Sequence, residues 1–192
     1  MRVAEFNREQ VLQSAMNEFI AKGYNKTSMQ DLKRVTGLHP GSIYCAFENK
    51  RGLLLAALEQ YAKDREDEFA SIFAKEATIL AGFRRYLEHI ISECECEQIK
   101  DCLLQKSLSE FSQQDDEVEQ AVVEIIQIWK KGIQTQLELA QQRQEIAADK
   151  NCLQLGEFFI MGIYGLRSYA HTKPAPGVLQ RLAAQLYQTL AN

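Results

Sequence analysis

The sequence is poor in the features that mark membrane, exported and β-rich proteins. It has three prolines in 192 residues, and no segment alternates apolar and polar residues as a strand does. A membrane helix needs a run of about 18 or more apolar residues, and none is present. No secretory leader is apparent either. Since helical periodicity fills the chain instead, we expect an all-α, cytoplasmic protein with no membrane partner.

Motifs of the common enzyme classes are also missing. The chain has no Gly-rich phosphate loop and no nucleophile elbow. Its three histidines, His39, His89 and His171, lie in different segments, and none belongs to a His-Glu motif at metal spacing. We therefore expect no enzymatic activity, no cofactor and no metal site.

The five cysteines are an odd number in a chain without a secretion signal, which indicates reduced thiols. Three of them, Cys94, Cys96 and Cys102, form a C-x-C-x5-C cluster. A metal sensor needs three or four converging soft ligands, and two thiols at C-x-C spacing on one helix converge poorly. A thiol sensor of oxidants or electrophiles needs one thiolate, and Lys100 or Lys106 could supply positive charge near Cys102.

Two short helices joined by a tight turn are the strongest pattern that is present. Ser28 and Asp31 have the spacing of a capping box, so a helix should begin there and end at Gly37. Upstream, apolar residues at helical spacing predict another helix that ends at Gly23. Together these segments predict a three-helix unit with its own small core.

The second short helix has one polar and one apolar side. Pro40 suits its first position, where a missing N–H costs nothing. Ser42 and Tyr44 should face outward while Ile43 and Phe47 face the core, and the helix should end near Glu48. This layout is the helix-turn-helix, which sets one helix across DNA and places the other in the major groove.

Charge is distributed unevenly between the two ends of the chain. Residues 1–52 contain eight Lys or Arg against five Asp or Glu, while the other 140 residues contain 14 against 21. An architectural DNA protein would need basic surfaces on several faces, which an acidic body does not offer. The sequence thus predicts a helix-turn-helix domain at 1–52 and a helical regulatory and dimerisation domain at 53–192.

The arrangement resembles the DNA-binding domain of the TetR family of bacterial transcriptional regulators. The resemblance runs over roughly residues 7 to 58 and is carried by Thr27, Leu32, Gly37, Tyr44, Phe47, Lys50 and Leu53. The chain departs from the family pattern at Cys45 and Ala46, where members often carry a bulky residue such as His and an aromatic residue. Contacts made by those two positions therefore cannot be carried over.

The resemblance implies contacts with double-stranded operator DNA. We expect Thr27, Tyr44 and Lys50 to contact phosphates and His39, Pro40 and Ser42 to approach base edges, with Ser28 either contacting DNA or only capping its helix. A helical interaction adaptor without DNA binding would be the alternative if this domain were degenerate. The presence of both Tyr44 and Lys50 argues against it.

The resemblance also implies a homodimer built from the last two helices. Those helices are unusually apolar for surface helices, as association surfaces often are. The predicted interface consists of Phe158, Phe159, Gly162, Ile163, Leu166, Leu179, Leu182 and Leu186. A dimer has the two-fold symmetry that two operator half-sites require.

Family members behave as two-state switches, so the body should hold a pocket for a small-molecule effector. Candidate lining residues are Phe83, Tyr86, His89, Cys102, Phe111, Trp129, Phe158 and Tyr164. Trp129 is the strongest candidate because its indole N–H needs a partner. The expected function is a repressor that a ligand releases from a palindromic operator. The alternative is a redox or electrophile-sensing repressor that uses Cys102, since Cys102-Leu103-Leu104 resembles a stretch found in many TetR-type proteins, including electrophile-responsive ones.

Overall fold

A computed structural model describes residues 6–96, 102–111 and 114–191. Within these ranges every regular element is an α-helix, as the sequence predicts. The helices are α1 (Arg8–Lys22), α2 (Met29–Thr36), α3 (Pro40–Phe47), α4 (Lys50–Ala74), α5 (Ile79–Cys94), α6 (Leu103–Phe111), α7 (Asp116–Gln142), α8 (Cys152–Ala170) and α9 (Val178–Ala191). None of the helices in the described ranges is both long and apolar enough to cross a membrane.

The chain divides into two compact units. The first contains Met1–Arg65 and Asp101–Ile126, and the second contains Glu66–Lys100 and Gln127–Asn192. Residue 52, where the sequence places the domain boundary, lies inside α4. Residues 53–65 and α6 therefore belong to the same unit as the helix-turn-helix, and α4 and α7 contribute to both units.

The first unit is built around large side chains with almost no solvent exposure. Phe19 of α1, Leu32 of α2 and Ile43 of α3 are exposed by 1% or less. Leu53 and Leu54 of α4 join them, and the same core extends to residues of α6 and α7. Burying a side chain of this size stabilises a fold by about 1.5–3 kcal/mol, so this shared core fixes the helix-turn-helix.

The second unit has an aromatic core between α4, α5 and α8. The Phe83 ring lies 5.0 Å from Phe73 and 5.2 Å from Phe159, in both cases edge to face. Gly82 is required here because a Cβ atom would lie 2.5 Å from the Phe73 ring. Gly162 lets α9 approach α8, since its Cβ atom would lie 2.5 Å from Leu186.

The second unit also buries an ion pair. The Arg167 guanidinium of α8 donates to the Glu93 carboxylate of α5 at 2.5 Å, and both side chains are about nine-tenths buried. Removing one partner of such a pair is costly because the other charge is left uncompensated. This pair therefore fixes α8 against α5.

Asp115 caps the start of α7, because its Oδ1 accepts a hydrogen bond from the Val118 amide at 3.2 Å. Along α7, Val118 and Ile133 are fully buried while Trp129 is half-buried.

Candidate nucleic-acid interface

Helix α2 begins at the predicted capping box. The Ser28 hydroxyl accepts from the Asp31 amide at 3.1 Å, and the Asp31 carboxylate accepts from the Ser28 amide at 2.9 Å. Hydrogen bonds from Lys22 and Ser28 hold the pKa of Asp31 well below its ordinary value. The Ser28 side chain is thus committed to the helix start, although the residue itself is exposed.

The turn between α2 and α3 follows from two residues. Gly37 adopts a left-handed conformation with φ of 71°, and its amide donates to the Lys33 carbonyl at 3.0 Å. A residue with a side chain is strained in that conformation. Pro40 then occupies the first turn of α3, and His39 precedes it without a side-chain capping bond. The His39 side chain is exposed, as contact with DNA would require.

Helix α3 has the two sides that the sequence predicts. Ile43 is fully buried and Phe47 is 6% exposed, whereas Tyr44 is 50% exposed. We name the solvent side of this helix the outer face of α3; it consists of Gly41, Ser42, Tyr44, Cys45 and Ala46. A helix with one anchored and one open side can enter a groove without losing its own packing.

Thr27 and Lys50 are occupied by contacts inside the protein. The Thr27 hydroxyl donates to the Gly23 carbonyl at 2.7 Å, and the residue is 1% exposed. The Lys50 ammonium donates to the Tyr24 and Thr27 carbonyls, each at 2.9 Å, and lies 4.0 Å from the centre of the Tyr24 ring. Burial lowers the pKa of Lys50. Both residues build the segment before α2.

A shallow depression of about 460 Å³ lies beside α3. Its lining includes Ser28, Tyr44, Lys50 and Arg51. Arg51 donates to Asp115 at 2.5 and 2.8 Å, and these bonds raise the pKa of Arg51. Both cationic side chains of this concavity are thus engaged within the protein, Lys50 by backbone carbonyls and Arg51 by Asp115 and Glu117. The Tyr44 phenol is a further group of a type that contacts phosphate.

Helix α6 supports this interface, which sequence reasoning did not predict. The Glu110 carboxylate accepts from the Tyr24 amide at 3.2 Å and from the Asn25 amide at 3.0 Å. The Lys106 ammonium donates to the Ile20 carbonyl at 2.7 Å, and the Phe111 ring lies 4.8 Å from Tyr24. The partners are about 86 residues apart in the chain, so no local sequence pattern predicts these contacts.

The residues predicted for the dimer interface fall into two groups. Phe158 and Leu182 are 44% and 38% exposed, and with Gly162 they line a groove of about 320 Å³ between α8 and α9. The other five are largely buried within the second unit: Phe159, Ile163, Leu166, Leu179 and Leu186. Of these, Leu166 and Leu186 also line this groove. When two apolar helices pack together, some of their apolar residues face each other and others face outward. An apolar sequence pattern alone does not tell these two groups apart.

Met161 and Gly165 extend this surface. Met161 is 59% exposed, and a Cβ atom on Gly165 would meet no atom within 4 Å. We name the surface of Phe158, Met161, Gly165, Leu182 and Gln185 the α8–α9 face. It lies wholly in the second unit.

The residues predicted to line one effector pocket are distributed over both units. Cys102 and Phe111 belong to the core of the first unit, and Phe158 lies on the α8–α9 face. The others are in the second unit: Phe83, Tyr86, His89, Trp129 and Tyr164. Helical spacing indicates which residues face inward but not which core they enter, so the sequence alone could not assign these candidates to the two units.

Among the remaining candidates, Trp129 and His89 have distinct polar surroundings. The Trp129 ring lies 5.8 Å from Tyr164, and within the described part of the chain its buried Nε1 has no hydrogen-bond partner. His89 Nε2 lies 2.9 Å from the Glu68 carboxylate, and His89 lines a cavity of about 320 Å³ between α4 and α5.

The cysteines do not form a cluster. Cys94 and Cys102 are buried, in different cores, while Cys96 is exposed. The Tyr61 hydroxyl donates to Cys102 Sγ at 3.6 Å. In the described ranges no three His, Cys, Asp or Glu side chains are placed to hold a metal ion.

Known proteins match the chain along most of its length. The model of bacterial regulatory proteins of the TetR family matches residues 11–57, and that of the tetracyclin repressor-like C-terminal domain matches residues 78–186. The chain is 27% identical over 170 residues to the HTH-type transcriptional repressor ComR of Escherichia coli, covering 84% of this chain and 78% of ComR.

Solved structures share the fold. A TetR-family regulator from Cytophaga hutchinsonii has a TM-score of 0.83 at 21% identity, with 97% of this chain and 96% of that chain covered. A cysteine mutant of the regulator CifR bound to 26-base-pair operator DNA has a TM-score of 0.80 at 22% identity, with 99% and 98% covered. The predicted family is confirmed: the chain belongs to the TetR family of DNA-binding transcriptional regulators.

Proposed function

We propose that this protein is a homodimeric repressor that binds a palindromic operator in the cytoplasm and that a small-molecule effector releases. The observation that carries the proposal is the outer face of α3, an exposed helix surface held by a capped α2 and a buried core. Two relatives support it. ComR is named a transcriptional repressor, and CifR has been solved on operator DNA.

In this proposal α3 enters the major groove and the depression beside it receives a backbone phosphate. Tyr44 contacts that phosphate through its exposed hydroxyl, while His39, Pro40 and Ser42 lie at the end of α3 from which helix-turn-helix proteins read bases. Thr27 and Lys50 contribute by holding the segment before α2 in place. Ser28 contributes as the cap of α2, whose N-terminal amides attract phosphate.

The dimer forms through the α8–α9 face. Phe158, Met161 and Leu182 are large apolar side chains exposed beside one another, and their burial would favour association. Gly165 has an open Cβ position, so it allows a partner helix to approach closely. Two-fold symmetry would then present two α3 helices to two half-sites about 34–36 Å apart.

The effector binds in the second unit beside Trp129 in this scheme. An indole N–H that is buried without a partner loses about 1–3 kcal/mol relative to a hydrogen-bonded one. A ligand with a hydrogen-bond acceptor would recover that energy. Binding can release the operator only if the ligand prefers the conformation that does not fit DNA.

Fluorescence and operator binding test this proposal together. The chain has one tryptophan, so the emission of Trp129 reports its own surroundings. An effector that shifts this emission and lowers operator affinity in the same titration range would support the proposal. An effector that releases the operator without changing this emission, and that still releases it from Trp129→Phe, would bind elsewhere.

A further inference from the structure

The outer face of α3 lacks the side chains that usually read bases by hydrogen bonds. Bidentate recognition uses Arg or Lys for guanine, Asn or Gln for adenine, and Asp or Glu for cytosine. Residues 38–47 contain none of these six types. Asn49 follows the helix, but its Oδ1 accepts from the Gly52 amide at 2.9 Å and so caps α4. Within residues 38–47, hydrogen bonds to bases are left to His39, Ser42 and Tyr44, so apolar contacts should carry a larger share of sequence recognition.

Small side chains occupy the centre of that face. At about 3.6 residues per turn, Gly41 and Cys45 lie opposite the buried Ile43 and Phe47. Cys45 and Ala46 are both exposed. A free cysteine behaves as a small hydrophobic residue. The group deepest in a groove would thus be the Cys45 thiol beside Gly41, with the Ala46 methyl group on one flank.

Gly41 has no explanation within the protein itself. Its φ is not positive, and a Cβ atom there would meet nothing within 4 Å. Alanine would stabilise a helix by up to about 1 kcal/mol at an interior position. Glycine is also the residue that lets a backbone approach a ligand closely. Its place at the centre of the outer face points to a close approach to DNA.

We propose that α3 reads thymine through its C5 methyl group, which packs against Cys45 and Ala46, while Gly41 lets the helix come close enough for this contact. Apolar contact with the thymine methyl group is the form of major-groove readout that small apolar side chains can make. The inference rests on the proposed function, because it requires α3 to lie in the major groove. The ligand is an operator half-site in which a thymine faces the middle of α3.

Replacing thymine by deoxyuridine tests this directly, because the exchange removes only the methyl group. The probe is an operator selected from random double-stranded DNA with the full-length protein, with each thymine replaced in turn. We expect one or two positions in each half-site at which affinity falls about fourfold, the effect of one buried methyl group. Replacement in both half-sites should lower affinity more than tenfold.

Variants of Cys45 locate the methyl contact on the protein. Cys45→Ser puts a hydroxyl in place of the thiol and should remove the preference for thymine over deoxyuridine at one position. Cys45→Ala keeps an apolar surface and should retain it. Gly41→Ala should lower affinity for every operator at least tenfold without lowering the melting temperature, whereas Gly132→Ala, also at an open position, should leave binding unchanged.

The possible failures are distinct. Specific operator binding that no deoxyuridine exchange weakens, or selected half-sites without thymine at their centre, would overturn methyl readout and leave the repressor proposal intact. If the protein selects no specific double-stranded DNA, the repressor proposal fails and this inference fails with it.

Discussion

The outer face of α3 and the α8–α9 face are both exposed, but they differ in the size of their side chains. The first presents Gly41 and Cys45 at its centre, and the second presents Phe158, Met161 and Leu182. Small side chains let a helix backbone approach a ligand closely, whereas a protein interface gains from large apolar groups that become buried. The difference fits our proposal that the two surfaces bind different classes of partner, DNA and a second subunit.

Breaking the α8–α9 face should have the largest effect. In Leu182→Glu a carboxylate replaces an exposed leucine, and its burial in a dimer would be costly. We expect a monomer in sedimentation and a loss of operator affinity of about 100-fold or more, because two linked half-site contacts become one. Ile128→Glu is the matched control, since Ile128 is 61% exposed on α7. A dimer that persists in Leu182→Glu would contradict the assignment of this face.

Changing the outer face of α3 by one atom should have a smaller effect. Tyr44→Phe removes only the exposed hydroxyl, and a hydrogen bond to a charged phosphate contributes about 1.5–3 kcal/mol. We expect operator affinity to fall at least about tenfold, equally for all base sequences, with no change in dimerisation. Fluorescence anisotropy of labelled operator DNA measures this affinity, and Tyr169→Phe on α8 is the control. Equal loss in the two variants would argue against a phosphate contact.

The contact between α6 and the segment before α2 should matter for folding more than for recognition. Glu110→Gln weakens two bonds to backbone amides, at Tyr24 and Asn25, by removing the charge of the acceptor. We expect the first unit to lose about 1–2 kcal/mol of unfolding free energy and operator affinity to fall a few-fold. Hydrogen exchange at these two amides should become faster. Unchanged exchange would show that the carboxylate does not hold them.

The smallest expected effect is a pH dependence within the first unit. The hydrogen bonds from Arg51 lower the pKa of Asp115 to about 2. A carboxylate with a depressed pKa stabilises the fold above its unfolded pKa of about 3.9, and this contribution is lost as the pH falls through the folded value. The unfolding free energy should therefore decrease between about pH 4 and pH 2. In Asp115→Asn the unfolding free energy should lack this part of its pH dependence. In the control Asp149→Asn, at an exposed site, the pH dependence should be unchanged.

The helix-turn-helix could be predicted almost completely from the sequence because its signals are local. The capping box at Ser28, the glycine stop at Gly37 and the proline at the start of α3 each act within four residues, and all three were confirmed. Short-range rules of this kind depend on backbone geometry rather than on packing.

The remaining features could not be predicted because they depend on distant partners. Glu110 meets Tyr24 across 86 positions of the chain, and Lys50 is turned inward by carbonyls that its own motif does not mark. The apolar pattern of α8 could not separate Phe158, which is exposed, from Phe159, which is buried. Periodicity gives the face of a helix, while the identity of the neighbouring element comes only from the fold.

Selection of operator DNA is the most direct test of the central claim that two α3 helices of one dimer read two half-sites. Random double-stranded DNA would be incubated with the full-length protein, and the bound fraction sequenced. We predict an inverted repeat whose half-site centres lie about 10 base pairs, or a multiple of that, apart, with affinity that falls steeply as salt rises. A single asymmetric site, or no enriched sequence, would contradict the account.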